Sequence, residues 1–123
     1  MKNMIKALTE FMKLFSARSA DAAEFSAAKK GLPSLVILST PTCPACEQMS
    51  PVKDSINEKY SEKIIVEKID LSNRRELASE FNVKYVPHLL FIDAEGKVFQ
   101  QEIGFMQEED VLSTFEKAGI KIK

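Results

Sequence analysis

Residues 35–46 run Leu35-Val36-Ile37-Leu38-Ser39-Thr40-Pro41-Thr42-Cys43-Pro44-Ala45-Cys46. The first four are a continuous apolar run bounded by proline, the pattern of a strand buried on both faces. From Pro44 to Tyr60 the apolar positions Met49, Val52, Ile56 and Tyr60 keep helical spacing, with Pro51 inside the run predicting a kink. A buried strand therefore gives way to a helix at the two cysteines of the chain. At i and i+3 on a helical turn their Cβ atoms stand about 5–6 Å apart, so a small adjustment reaches disulfide geometry. Cys43, at the helix N-terminus, has the unpaired N–H groups and the dipole that stabilise a thiolate, and is expected to be the nucleophile. Cys46, one turn further in and more shielded, is expected to resolve the mixed disulfide.

Downstream, Ile64-Ile65-Val66 with Ile69 predicts a second buried strand, and Asp70 to Asn82 a helix with Leu77, Ala78 and Phe81 inward. Leu89 to Ile92 and Val98 to Ile103 predict two strands, joined by the polar loop Asp93-Ala94-Glu95-Gly96 that suits an antiparallel hairpin. Gln107 to Ala118 closes the chain as a helix. Upstream, Met4, Ile5, Leu8, Phe11, Met12 and Phe15 make one apolar stripe, predicting an amphipathic helix over roughly the first sixteen residues. It reads as a packing helix, with a basic membrane-surface helix as the alternative. Asp21 is placed to cap a short helix over Ala22 to Lys30, ended by Gly31 and Pro33. The pattern predicts an α/β fold, a central mixed sheet flanked by helices. It divides into an N-terminal helical extension over 1–20 and one domain over 21–123.

At 123 residues, with 17 basic and 18 acidic side chains and a formal charge of -1, the chain fits one domain and shows no basic block for nucleic acid. The longest uncharged stretch, Gly31 to Cys46, is broken by prolines and cannot form a membrane-spanning helix. Two cysteines are too few for a disulfide-stapled scaffold, so the pair reads as a reactive site. Structural zinc usually wants four ligands, and His88 is the single histidine. No metal is expected. A buried inert pair is the remaining structural alternative.

The strand Leu35 to Leu38, the Cys43 to Cys46 motif, Pro51 five residues later and Val86-Pro87 before a strand resemble the thioredoxin family. The order and spacing match over most of residues 22–119. Tyr60 ending the helix, Asp70 closing the next strand, the hairpin at Gly96 and Gly104 before the last helix extend the likeness. The resemblance implies the thioredoxin fold and a thiol-disulfide oxidoreductase working through the Cys43–Cys46 disulfide without a cofactor. It also implies a cis Pro87 beside the cysteines, accessible to an X-Pro bond. Backbone next to that proline would pair with a partner's extended chain. The expected substrate-binding set is Thr42, Pro44, Ala45, Val86, Pro87, Gly104 and Phe105. Protein disulfides and an upstream reductase would be the partners, and a monomer the working form.

The departures from the family pattern are chemical. Thr42 stands where the family has tryptophan, Pro44-Ala45 replaces Gly-Pro, and Glu47 replaces a frequent lysine. Ile37 stands where many members bury an aspartate that carries the proton of the second cysteine, so Cys46 needs another base, such as water. A glutaredoxin-like reading lacks its Gly-Gly-Asp clamp at Gly104-Phe105-Met106. An extracytoplasmic oxidant or isomerase, and a non-catalytic binding module, stay open. Lys6, Glu10 and Lys13 interrupt any signal-peptide core and favour the cytoplasm, while the Ala/Ser-rich 16–23 keeps a bacterial periplasmic relative in view. His88 reads as a surface or hairpin-packing residue with a catalytic role as the alternative, and Tyr85 as packing rather than cleft-lining.

Overall fold

The computed structural model describes residues 31–123; the expected helices over the first sixteen residues and over 22–30 lie outside the described residues. Seven elements follow: β1 (Ser34–Ser39), α1 (Pro44–Tyr60), β2 (Ile65–Asp70), α2 (Arg75–Glu80), β3 (His88–Ile92), β4 (Val98–Ile103) and α3 (Glu108–Lys117). The strands form one mixed sheet in the order β2-β1-β3-β4. β1 pairs parallel with β2 and antiparallel with β3, and β4 returns antiparallel beside β3.

The continuous apolar run of β1 is explained by its two neighbours and two covered faces. Side chains alternate across a strand, so Leu35 and Ile37 join Leu89 and Phe91 beneath α1 and α3, against Met49, Ile56 and Phe115. Val36 and Leu38 join Leu90 and Ile92 on the opposite face, against Leu77 and Phe81 of the α2 region. All six residues of β1 are buried. The Asp93–Gly96 hairpin is tied by Asp93, whose carboxylate accepts from the N–H groups of Glu95 and Lys97. Gly96, at φ +90, adopts a left-handed backbone that suits glycine. Where Phe91 meets Gln100 and Ile92 meets Val98, Phe99 is the extra bulged residue. Its ring completes a triangle with Phe91 and Phe115, whose centroids are 6.3 Å and 5.6 Å away.

Two expectations are corrected. β2 is an edge strand in which only Val66 is buried, because β1 takes one side and the Asn57 side chain from α1 takes the backbone of Val66 on the other. Asn57 both donates to the Val66 carbonyl and accepts from its N–H. The helix expected from Asp70 to Asn82 shrinks to Arg75–Glu80. Asp70 is still strand, paired with Ser39, and its carboxylate accepts from Ser72 N–H and Oγ–H, a local turn that competes with helix. The bonds from Ser72, side chain first, hold the Asp70 carboxyl below its ordinary value. At the other end Asn82 adopts φ +51, which stops the helix.

The start of α3 is locked onto α1 by Glu108, which accepts from Ser55 Oγ–H and from Lys59 Nζ at 3.1 Å. The Ser55 bond first, then Lys59, holds the Glu108 carboxyl below its ordinary 4.5 against the opposing effect of partial burial. A depressed carboxylate contributes stability above the unfolded-state value and loses it as pH falls through the folded one. Glu108→Gln is therefore expected to cost about 1 kcal/mol near neutral pH, and its deficit in urea midpoint relative to the wild type should shrink as pH falls below 4.5. An unchanged deficit in acid would assign the loss to packing.

Candidate active site

β1 ends at Ser39, and four residues later the chain enters α1 with Cys43 as its N-cap, in extended backbone at φ -119, ψ 106. Pro44 takes the first helical position, where no N–H is required and its fixed φ is already helical. The Cys43 sulfur accepts a hydrogen bond from the backbone N–H of Cys46 at 3.0 Å, and the Cys43 carbonyl accepts from Glu47 N–H at 3.1 Å. Cys43 and Cys46 are joined in a disulfide with their Cα atoms 5.1 Å apart. The two are unequal as the sequence implies: Cys43 is 8% exposed and Cys46 is 0% exposed.

The Val86-Pro87 peptide is cis, and the Val86 carbonyl oxygen lies 3.8 Å from Cys43 Sγ. In the disulfide that sulfur has no proton, so the approach becomes a hydrogen bond only in the dithiol. Opposite, Gly104 N–H donates to the Pro87 carbonyl at 2.8 Å, and Met106 N–H points to the Met49 sulfur of α1 at 3.4 Å. These contacts clip the 104–106 loop between the proline and the helix. Gly104 meets the turn at φ +101, a backbone that disfavours any side chain. Thr42, Pro44 and Phe105 are exposed, Ala45, Val86 and Gly104 half-buried and Pro87 buried; the Cys43 sulfur meets Val86, and Gly104 meets Pro87.

Ile37 is buried in the core with Met49 and carries no proton. The residue beside it in register, Lys68 on β2, donates from Nζ to Ser50 Oγ at 3.2 Å, one helical turn beyond Cys46. His88 is buried in β3 with Nε2 2.6 Å from Gln101 Oε1 on β4, and its Nδ1 has no partner. That is the hairpin-packing role, on the sheet face of Leu38 and Leu90. Tyr85 corrects the sequence reading. It is 70% exposed rather than packed, and Ile103, which no motif singled out, is 58% exposed. Both lie at the same end as Phe105. Tyr85 could have been found from its place next to Val86; Ile103 gives no signal, because strand alternation alone does not say that its face runs out of cover. Among the described residues no group of His, Cys, Asp or Glu gathers to hold a metal.

A thioredoxin family model matches residues 17–117. The thioredoxin of Pyropia yezoensis is 34% identical over 86 residues, 70% of this chain and 79% of its own length. That of Borreliella burgdorferi is 31% identical over 67 residues, which span 56% of that protein. A protein disulfide-isomerase of Aspergillus niger is 32% identical over 98 residues, 76% of this chain but 27% of that protein. Among solved structures, a malarial protein superposes with a TM-score of 0.65 at 22% identity, over 70% of this chain and 96% of the other, a likeness of fold.

Exposure and the N-terminal bond together predict that, in the reduced protein near neutral pH, Cys43 is alkylated at least about tenfold faster than Cys46. Mass spectrometry after a short iodoacetamide pulse measures the ratio. Equal labelling would remove the asymmetry on which an ordered exchange depends.

Proposed function

The chain belongs to the thioredoxin family, and from that premise we propose that this thiol-disulfide oxidoreductase works in the reducing direction, as a protein-disulfide reductase and electron carrier. The observation that carries the exchange chemistry is the Cys43 sulfur, an N-cap at a helix start bonded by the Cys46 N–H at 3.0 Å, on a residue 8% exposed beside Val86; the reducing direction is supported by the likeness to thioredoxins. A donor N–H and a helix dipole at that atom favour its negative form.

In the reaction, the Cys43 thiolate attacks one sulfur of the partner's disulfide. A Cys43–partner bond forms as the partner's S–S bond breaks, and the other partner sulfur leaves as thiolate. Cys46, deprotonated by water, then attacks Cys43 Sγ, closing the Cys43–Cys46 disulfide and releasing the second partner thiolate. Two electrons have passed to the partner, each released thiolate takes up a proton from solvent, and an upstream reductase returns the electrons. The partner's extended chain lies along the Val86 backbone before Pro87. Gly104 and Phe105 form the facing wall, and Thr42, Pro44 and Ala45 the rim. The dithiol itself is the redox group, and no cofactor enters. A reductase of this kind suits the cytoplasm, where dithiols are kept reduced, and a monomer leaves the whole site open.

The second reading, a disulfide oxidant or isomerase, is favoured by the likeness to the Aspergillus protein, which is named a protein disulfide-isomerase and is matched over 27% of its length. An oxidant uses the same two cysteines with the electrons flowing the other way, and an isomerase reshuffles a partner's disulfides with no net electron transfer.

Cys43→Ser is expected to abolish reduction of a protein disulfide by the reduced chain. Cys46→Ser should stall after the first step and accumulate a covalent mixed disulfide that non-reducing electrophoresis displays and dithiothreitol dissolves. Turnover retained by Cys43→Ser, or a wild type that binds partners without turnover, would replace the reductase with another chemistry or with a binding module.

A further inference from the structure

Phe105, 43% exposed, is flanked by two backbone N–H groups that each reach a different part of the fold. Before it, Gly104 N–H donates to the Pro87 carbonyl at 2.8 Å. After it, Met106 N–H donates to the thioether sulfur of Met49 at 3.4 Å. Pro87 leads into β3, while Met49 lies within α1, three residues after Cys46. Met106 precedes Gln107, the N-cap of α3, so its N–H has no acceptor inside that helix and must find one elsewhere. Met49 is 0% exposed and packed in the cluster of Ile37 and Phe115, and Met106 packs on the same cluster. A side chain that is flexible elsewhere is thereby held still, with its sulfur aimed at the loop.

We propose that Met49 is a positioning residue for substrate recognition: its sulfur, by holding Met106 N–H, sets the Gly104–Phe105 wall at its working distance from the helix that carries the reactive cysteines. The inference rests on the reading of the pair as a protein-disulfide reductase. A wall bonded only at Gly104 could swing about Pro87; the second bond, on the far side of Phe105, removes that freedom. A partner's chain laid along Val86 then meets a wall already in place, and binding is spared the cost of ordering a loop. The effect belongs to binding and not to sulfur exchange, because the contacts of the Cys43 sulfur, with Cys46 N–H and the Val86 carbonyl, do not pass through Met49. Sulfur serves both needs of the site. It is apolar enough for the core and still offers lone pairs, if weakly, to a donor. Leucine at the same place conserves volume, a swap that cores tolerate well, but leaves the half-buried Met106 N–H without its partner.

The test compares the full-length wild type with Met49→Leu and Met49→Ile, which both lack the acceptor but differ in shape. Amide exchange of Met106 is followed by NMR in the disulfide form, and reduction of insulin, as the protein disulfide, is followed with dithiothreitol returning the electrons. In both variants the Met106 amide is expected to exchange about fivefold faster, and KM for insulin to rise about fivefold, the factor that one net hydrogen bond implies. The kcat should stay within about twofold of the wild type, the signature of lost binding rather than lost chemistry. Effects that differ between the two variants in proportion to their urea midpoints would make Met49 a packing residue and overturn the proposal. An unchanged Met106 amide, or a faster one with KM unmoved, would overturn it equally, while leaving the exchange reaction standing. A wild type that leaves insulin unreduced would overturn the reductase reading and the positioning role with it.

Discussion

The Cys46 N–H that reaches the Cys43 sulfur over 3.0 Å is free to do so because it lies in the first turn of α1, where backbone donors have no intrahelical acceptor. That position is set by β1. Six consecutive buried residues, with strands on both sides and apolar side chains on both faces, leave the strand no other register. The helix then starts where Pro44 starts it. The opposite wall depends on the same strand. β3 pairs with β1 residue by residue, Leu38 against His88, which delivers the preceding Val86-Pro87 peptide to the sulfur. Gly104, bonded to the Pro87 carbonyl, inherits its place from β3 in turn. The site is thus three loops hung on adjacent strand ends.

Within the described residues, the sequence made legible whatever depends on local pattern. The β1 run, α1 and the β3–β4 hairpin stand where periodicity and turn chemistry place them, with β4 at Val98–Ile103 as expected. The errors fall where a competing interaction wins. Hydrophobic content cannot distinguish the centre of a sheet from its edge, so β2 reads as buried although Asn57 covers the backbone of its outer side. Asp70 belongs by composition to a helix start, yet its carboxylate is captured by Ser72. Tyr85 reads as packing from pattern, yet on the segment that leads into the cis proline it is 70% exposed. The cysteines were legible because their chemistry needs a spacing.

The chemical environment of the pair differs from the family pattern in ways that bear on its electrons. Ile37, buried in the core with Met49, puts hydrocarbon where many family members bury a carboxylate. Lys68, next in register and held to Ser50, puts a positive charge on the same sheet face, while Glu47 sets a negative one at the start of α1. Cations favour a nearby thiolate and anions oppose it. The N-terminal hydrogen bond and these opposed charges all bear on the balance between dithiol and disulfide.

That balance is the quantity to measure. Equilibrating the full chain against a series of glutathione buffers, trapping thiols by alkylation and counting them by mass spectrometry gives the potential of the Cys43–Cys46 couple. A protein-disulfide reductase predicts a value near that of thioredoxin, about -270 mV. A value towards the oxidising end, about -120 mV, would contradict the reducing direction and make the chain a disulfide donor.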